Sequence, residues 1–126
     1  MFQALSLAAI IILTAIDRLT KHIAVATVKV NGPIEFLFGA FQFRYVENTG
    51  AAFSLLAGNP LLVTLLSTAL LAGLCAVMLR VLHPTRTARI ALAFVIGGGA
   101  GNLIDRLAFG EVTDYVRLLF IRFPVF

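Results

Sequence analysis

Between residues 97 and 114 the chain reads GGGAGNLIDRLAFGEVTD, which places Asn102, Asp105, Arg106 and Asp114 at the end of a strongly apolar run. Ionisable and amide groups are costly to hold in such a setting and usually mark a working site. Asn102, Asp105 and Arg106 stand at i, i+3 and i+4, so a helix would carry an amide, a carboxylate and a guanidinium on one face. Asp114 follows Gly110 by four residues among apolar neighbours. Desolvation there raises a carboxyl pKa, as a proton-shuttling acid requires. Asp17 and Lys21 are four apart, with the acid nearer the N-terminus, the better order for a helical pair. A structural ion pair at a helix end is the plainer reading of those two. In Asn48-Thr49-Gly50 either the chain simply reverses, or the Asn48 amide and nearby backbone N–H groups hold a substrate's peptide carbonyls. Cys75 is the single cysteine and forms no internal disulfide, so it reads as a small lipid-facing or core residue.

The elements that must position these groups follow from composition. The 126 residues are 60% hydrophobic and 13% charged, with a mean hydropathy of +1.00, which excludes a water-soluble domain. A bilayer core of roughly 30 Å needs about 20 apolar residues per helix. Residues 3–25, 60–82 and 88–109 meet or approach that length. The first lacks the positive start of a signal peptide and reads as a retained helix. The second carries no charge between Gly58 and Leu79 and opens on Pro60, whose missing N–H costs nothing in a first turn. In the third, Gly97, Gly98, Gly99 and Gly101 would let a neighbouring helix approach closely. Between the first two helices, a turn signal at residues 31–33 precedes IEFLFGAFQFRYV, which predicts two short strands joined near Gly39 and Ala40. The expectation is an α-helical integral membrane protein of one domain, residues 1–126. It would have three transmembrane helices and a small antiparallel β-sheet, about residues 31–47, on the membrane surface.

Charge does not orient this arrangement. Arg80, Arg86 and Arg89 bracket the short connection between helices two and three, but Arg18, Lys21, Lys29 and Arg44 fall on the opposite side and are no fewer. Alternating passes nevertheless bring the end of helix one, the start of helix two and the end of helix three to one face, where every unusual polar residue gathers. The net charge of +4 is small and scattered around helix ends. Its natural partner is anionic membrane lipid, not nucleic acid. Ion conduction would want charges nearer the bilayer centre, and helices two and three have none there.

Four ordered motifs, DRLTK at 17–21, NTGAAFS at 48–54, GNLIDR at 101–106 and VTD ending at Asp114, together resemble lipoprotein signal peptidase, the type II signal peptidase of bacteria. The resemblance is collinear over the whole chain. It implies an intramembrane aspartic endopeptidase that needs no metal and no cofactor. Its substrates would be diacylglyceryl-modified prolipoproteins, cut just before the lipidated cysteine. Asp114 falls on a catalytic position, and Asn48, Asn102 and Arg106 on positions lining the substrate pocket. Asp17, Lys21, Gly50 and Asp105 fall on supporting positions. The family also implies the bacterial cytoplasmic (inner) membrane, a cytoplasmic N-terminus and a site at the outer face, with the sheet as a cradle beside it. Its second catalytic Asp lies in an Asn-x-Ala-Asp motif followed by a fourth helix, and neither occurs before Phe126. Asp105, beside Arg106, is no substitute. The expectation is therefore an incomplete or inactive form. The alternative is a non-catalytic binding or transport subunit using the same polar face.

Overall fold

A computed structural model describes residues 2–51, 55–80 and 85–126. The order is α1 (Phe2–Ala24), a π-helical turn at Val25–Lys29, β1 (Ile34–Phe36), β2 (Phe41–Asn48), α2 (Pro60–Arg80), α3 (Arg86–Phe109) and β3 (Val112–Leu118). Residues 52–54 of the NTGAAFS motif, the predicted end of helix two at 81–82, and residues 83–84 of the following connection lie outside the described residues.

Among the described residues α2 and α3 are long and apolar enough to cross a membrane, with mean hydropathies of 2.3 and 1.4. Their burial pattern is that of lipid-facing helices. Leu61, Leu65, Leu66, Leu70 and Leu79 of α2 and Ile90, Phe94, Val95 and Leu107 of α3 are all exposed. A soluble domain would not leave so continuous an apolar surface open to water. The buried apolar side chains are few and mostly short, with Val63, Ala93, Ile96 and Val112 among them.

α3 is the centre of the helical part, packing against α1 on one side and α2 on the other. Its small residues make this possible. A Cβ on Gly97 would sit 2.7 Å from Leu13 Cβ, and the Gly97 carbonyl accepts a 3.0 Å hydrogen bond from Thr14. One turn later, a Cβ on Gly101 would overlap the Asp17 carboxylate. The pair thus forms a small-xxx-small face for α1. Thr85 caps the start of α3 by accepting from the Ala88 N–H at 3.2 Å. Gly110 ends the helix at φ 79°, its N–H returning to the Arg106 carbonyl. This left-handed turn is where glycine is the least strained residue.

The predicted hairpin is present as β1 and β2, but the sheet has three strands in the order β1-β2-β3, antiparallel throughout. The third strand was not anticipated, and it carries Asp114, read from sequence as lying in the segment just after the helix. Val112, Asp114, Val116 and Leu118 alternate with Thr113, Tyr115 and Arg117, the period of a strand. A carboxylate in the otherwise apolar register masks that signal. β2 and β3 pair from Phe41↔Leu118 to Asn48↔Val112, with one extra residue on β2 between Phe43 and Val46. That bulge falls beside Asp114, where local twist can re-aim side chains. On one face Phe36 stacks on Phe43 at 4.3 Å and on Phe41 at 5.5 Å.

Gly101→Ala should destabilise the protein by about 1–3 kcal/mol through overpacking against Asp17. Gly98→Ala, whose Cβ would meet nothing within 4 Å, should stay within about 1 kcal/mol of the parent. Thermal unfolding in detergent micelles checks both.

Candidate active site

Two clusters of polar side chains meet where α1 and α3 end and the sheet begins. The first lies between the helices. Lys21 is 5% exposed and Asp105 2%. The Lys21 ammonium reaches Asp17 Oδ2 at 2.9 Å, Asp105 Oδ2 at 2.9 Å and Asn102 Oδ1 at 2.6 Å, and Arg18 pairs with Asp105 Oδ1. Two cations and two anions balance, as burial demands. An ammonium has three donors and no acceptor. The atom that Asn102 turns toward Lys21 must therefore be its oxygen, and its NH2 group points away.

The second cluster lines a cleft of about 290 Å³ bounded by Asn48, Asn102, Arg106, Val112, Asp114 and residues 123–126. That is near the lower end of small-ligand pocket volumes. Asn48 pairs with Val112 across the strands, which makes Asp114 its diagonal neighbour on the same face. Its Nδ2 donates to Asp114 Oδ2 at 2.8 Å, and its Oδ1 accepts from the Gly50 N–H at 2.9 Å. Arg106 donates through Nη2 to the Gly50 carbonyl at 2.9 Å and through Nη1 to the Asn102 carbonyl at 3.4 Å. Its Nε is buried with no partner among the described residues. Tyr115 donates to Thr20 Oγ1 at 2.9 Å, tying β3 to α1 one residue after Asp114.

Burial pushes the Asp114 carboxyl above its ordinary value, opposed by the Asn48 hydrogen bond and by the charges of Lys21 and Arg106. This combination suits an acid that must hold a proton in some states and release it in others. A larger groove of about 630 Å³ lies between the first turns of α1 and α3, but its lining includes no carboxylate or amide. The described residues contain no cluster of three or more metal-ligating side chains.

The sequence candidates are thus divided between two tasks. Asn48, Asn102, Arg106 and Asp114 line the cleft, while Asp17, Lys21 and Asp105 lie behind it and Gly50 ties Asn48 to Arg106. The single face expected for Asn102, Asp105 and Arg106 is split, because Asp105 turns to α1 and Arg106 to the end of β2. The Asn48 amide is engaged by Asp114 and Gly50. Sequence reasoning missed Arg18 as a partner of Asp105, and Tyr115. Arg18 resembled an ordinary helix-end charge, and nothing local announced a contact with residue 105.

The sequence pattern of the signal peptidase (SPase) II family matches residues 9–126. The lipoprotein signal peptidase of Gloeobacter violaceus is 41% identical over 118 residues, 94% of this chain and 68% of that protein. That of Streptococcus thermophilus is 33% identical over 94% of this chain and 77% of its own length. A solved structure described as a bacterial membrane enzyme superposes with a TM-score of 0.86 at 25% identity, covering 98% of this chain and 76% of that one.

The raised Asp114 pKa has a definite sign for stability. An acid whose native pKa exceeds its unfolded one folds without ionic cost below the unfolded value, 3.8 here, and loses stability as pH rises through the native value. Asp114→Asn should therefore gain stability relative to the parent as pH rises from about 4 to about 7. Melting temperatures of the two proteins across that range are the check.

Proposed function

The chain belongs to the signal peptidase II family, and from that premise we propose that it serves as an intramembrane aspartic endopeptidase acting on diacylglyceryl-modified prolipoproteins. It is a peptidase of a bacterial membrane family that removes signal peptides from prolipoproteins. The observation that carries the finer reading is Asp114, a half-buried carboxyl with a raised pKa in the wall of a cleft shared with Asn102 and Arg106.

In such an enzyme two neighbouring carboxyl groups share one proton, because both cannot ionise cheaply. The charged one takes a proton from water as that water attacks the scissile carbonyl carbon, while the neutral one gives its proton to the carbonyl oxygen. The resulting tetrahedral diol collapses when the amide nitrogen is protonated and leaves. Asp114 supplies one carboxyl. Asp105 is held by Lys21 and Arg18, and Asp17 by Lys21, so neither stands free to be the other. Asn102, with its NH2 directed away from Lys21, and Arg106, with Nε unpartnered, are placed to receive backbone carbonyls of the substrate. Asn48 orients Asp114 and lines the same cleft.

The membrane setting belongs to this proposal. α1 is read as a third span, with its charges confined to the end that meets α3 and the sheet. The N-terminus is cytoplasmic in the inner membrane, and the cleft opens at the outer face with the sheet on that surface. Acyl chains on the substrate cysteine then remain in the bilayer while the peptide enters the cleft. A non-catalytic subunit holding prolipoprotein on the same polar face predicts binding without cleavage.

Asp114→Asn should lower prolipoprotein cleavage by about 10²–10⁴-fold, with the protein still in the membrane. Processing of a lipidated precursor, read as a mobility shift, is the assay, and undiminished processing would remove Asp114 from the mechanism. Asn102→Asp keeps an oxygen for Lys21 but removes the donor, and it should weaken binding of a cyclic peptide antibiotic directed at this family by about tenfold. Unchanged binding in a competition assay would leave Asn102 with a structural role alone.

A further inference from the structure

The β1–β2 hairpin ends in two bulky apolar residues whose placement the peptidase reading does not use. Leu37 and Phe38 both adopt left-handed backbone, at φ 50° and 57°, a conformation costly for side chains of this size. They are also exposed, Leu37 at 61% and Phe38 at 110%, so packing within the described residues offsets little of that strain. On the other side of the start of β2, the turn after β3 presents Phe120 at 63% and Ile121 at 47%. The two segments are joined by the Leu119 N–H donating to the Ala40 carbonyl at 2.9 Å and by an edge contact of Phe41 with Phe120. Arg117 and Arg122 flank this second pair on the same depression. This end of the sheet therefore exposes four large apolar side chains, with two arginines beside the second pair.

The geometry points to this tip as a second membrane contact of the protein, inserted among the headgroups and upper acyl chains of the bilayer that α2 and α3 cross. The inference rests on the reading of the sheet as lying on the membrane surface, and extends it to a specific anchor. Lipid is the occupant for two reasons. β3 leaves the apolar helix α3 across Gly110 and Glu111 alone, so the sheet is tethered to the end of a lipid-facing element. The arginines match anionic headgroups, which attract cations lying just outside the hydrocarbon. The tip sits at the opposite end of β3 from Asp114. Anchoring both ends of the strand fixes the height of the Asp114 carboxyl relative to the membrane surface.

The chain contains no tryptophan, so Phe38→Trp introduces a single reporter. The purified variant is reconstituted into vesicles of phosphatidylcholine and phosphatidylglycerol, with and without brominated acyl chains. Leu65→Trp, on the exposed face of α2, reports in parallel whether the helices are embedded. The expected result is loss of emission of both variants in brominated vesicles, with little loss to aqueous acrylamide. Arg122→Gln added to Phe38→Trp should reduce the lipid quenching in vesicles containing phosphatidylglycerol. The proposal is overturned if acrylamide quenches Phe38→Trp while brominated lipid quenches only Leu65→Trp. It is equally overturned if Phe38→Trp is shielded from both quenchers, the outcome expected of a second chain covering the tip. Failure of brominated lipid to quench either variant would instead overturn the membrane reading on which the proposal stands.

Discussion

An ammonium group shut between two apolar helices can survive only with oxygens close around it, and Lys21 has three, a hydrogen bond to Asn102 and ion pairs with Asp17 and Asp105. Stranding a charge in such a place by removing one partner costs about 3–5 kcal/mol. An exposed pair such as Lys29 with Glu47 is worth about 0–1 kcal/mol. The buried group therefore dictates geometry in a way that the surface pair does not. Two of its three oxygens belong to α3, so α1 and α3 must meet in one register, and close enough that Gly97 and Gly101 cannot carry a side chain. Arg18 completes the charge balance by taking the other oxygen of Asp105.

Once that register is set, the site follows from short connections. α3 ends one turn beyond Asp105, Gly110 reverses the chain, and β3 begins at Val112. There is little slack between the buried ion cluster and Asp114. What slack remains is removed from two sides, by Tyr115 bonding to Thr20 on α1 and by Asn48 bonding to Asp114 from β2. Lys21 thus acts on the cleft twice. It fixes which way the Asn102 amide faces, and its charge bears on the Asp114 carboxyl. Burial remains the strongest influence on that carboxyl, with Asn48, Lys21 and Arg106 limiting the rise.

The helices were legible because an apolar run of bilayer length is a strong signal, and the polar positions were legible because they interrupt such runs. The partners of those positions were not. Nothing local in Arg18 indicates that it meets Asp105, 87 residues away, and the use of the Asn48 amide depends on strand register. The strand β3 is the instructive omission. Its alternation places Val112, Asp114, Val116 and Leu118 on one face, and the period reads as a strand only if the position held by Asp114 is counted as apolar. The residue that obscures the strand is the one that the proposed chemistry requires. Local rules tend to fail at functional positions for this reason.

The same conflict accounts for the position of the proposed acid on a strand beyond the helix. Hydrolysis needs water at the carboxyl, whereas a lipid-facing helix excludes it, and an ionisable acid near the middle of α3 would have to be neutralised or paired. Asp105, still within the helix, shows what that requires, since both of its oxygens are occupied by cations. Asp114 stands past the helix end, half-buried and with an amide as its direct partner. It keeps enough shielding for a raised pKa while avoiding the tight ion pair that would hold it permanently ionised.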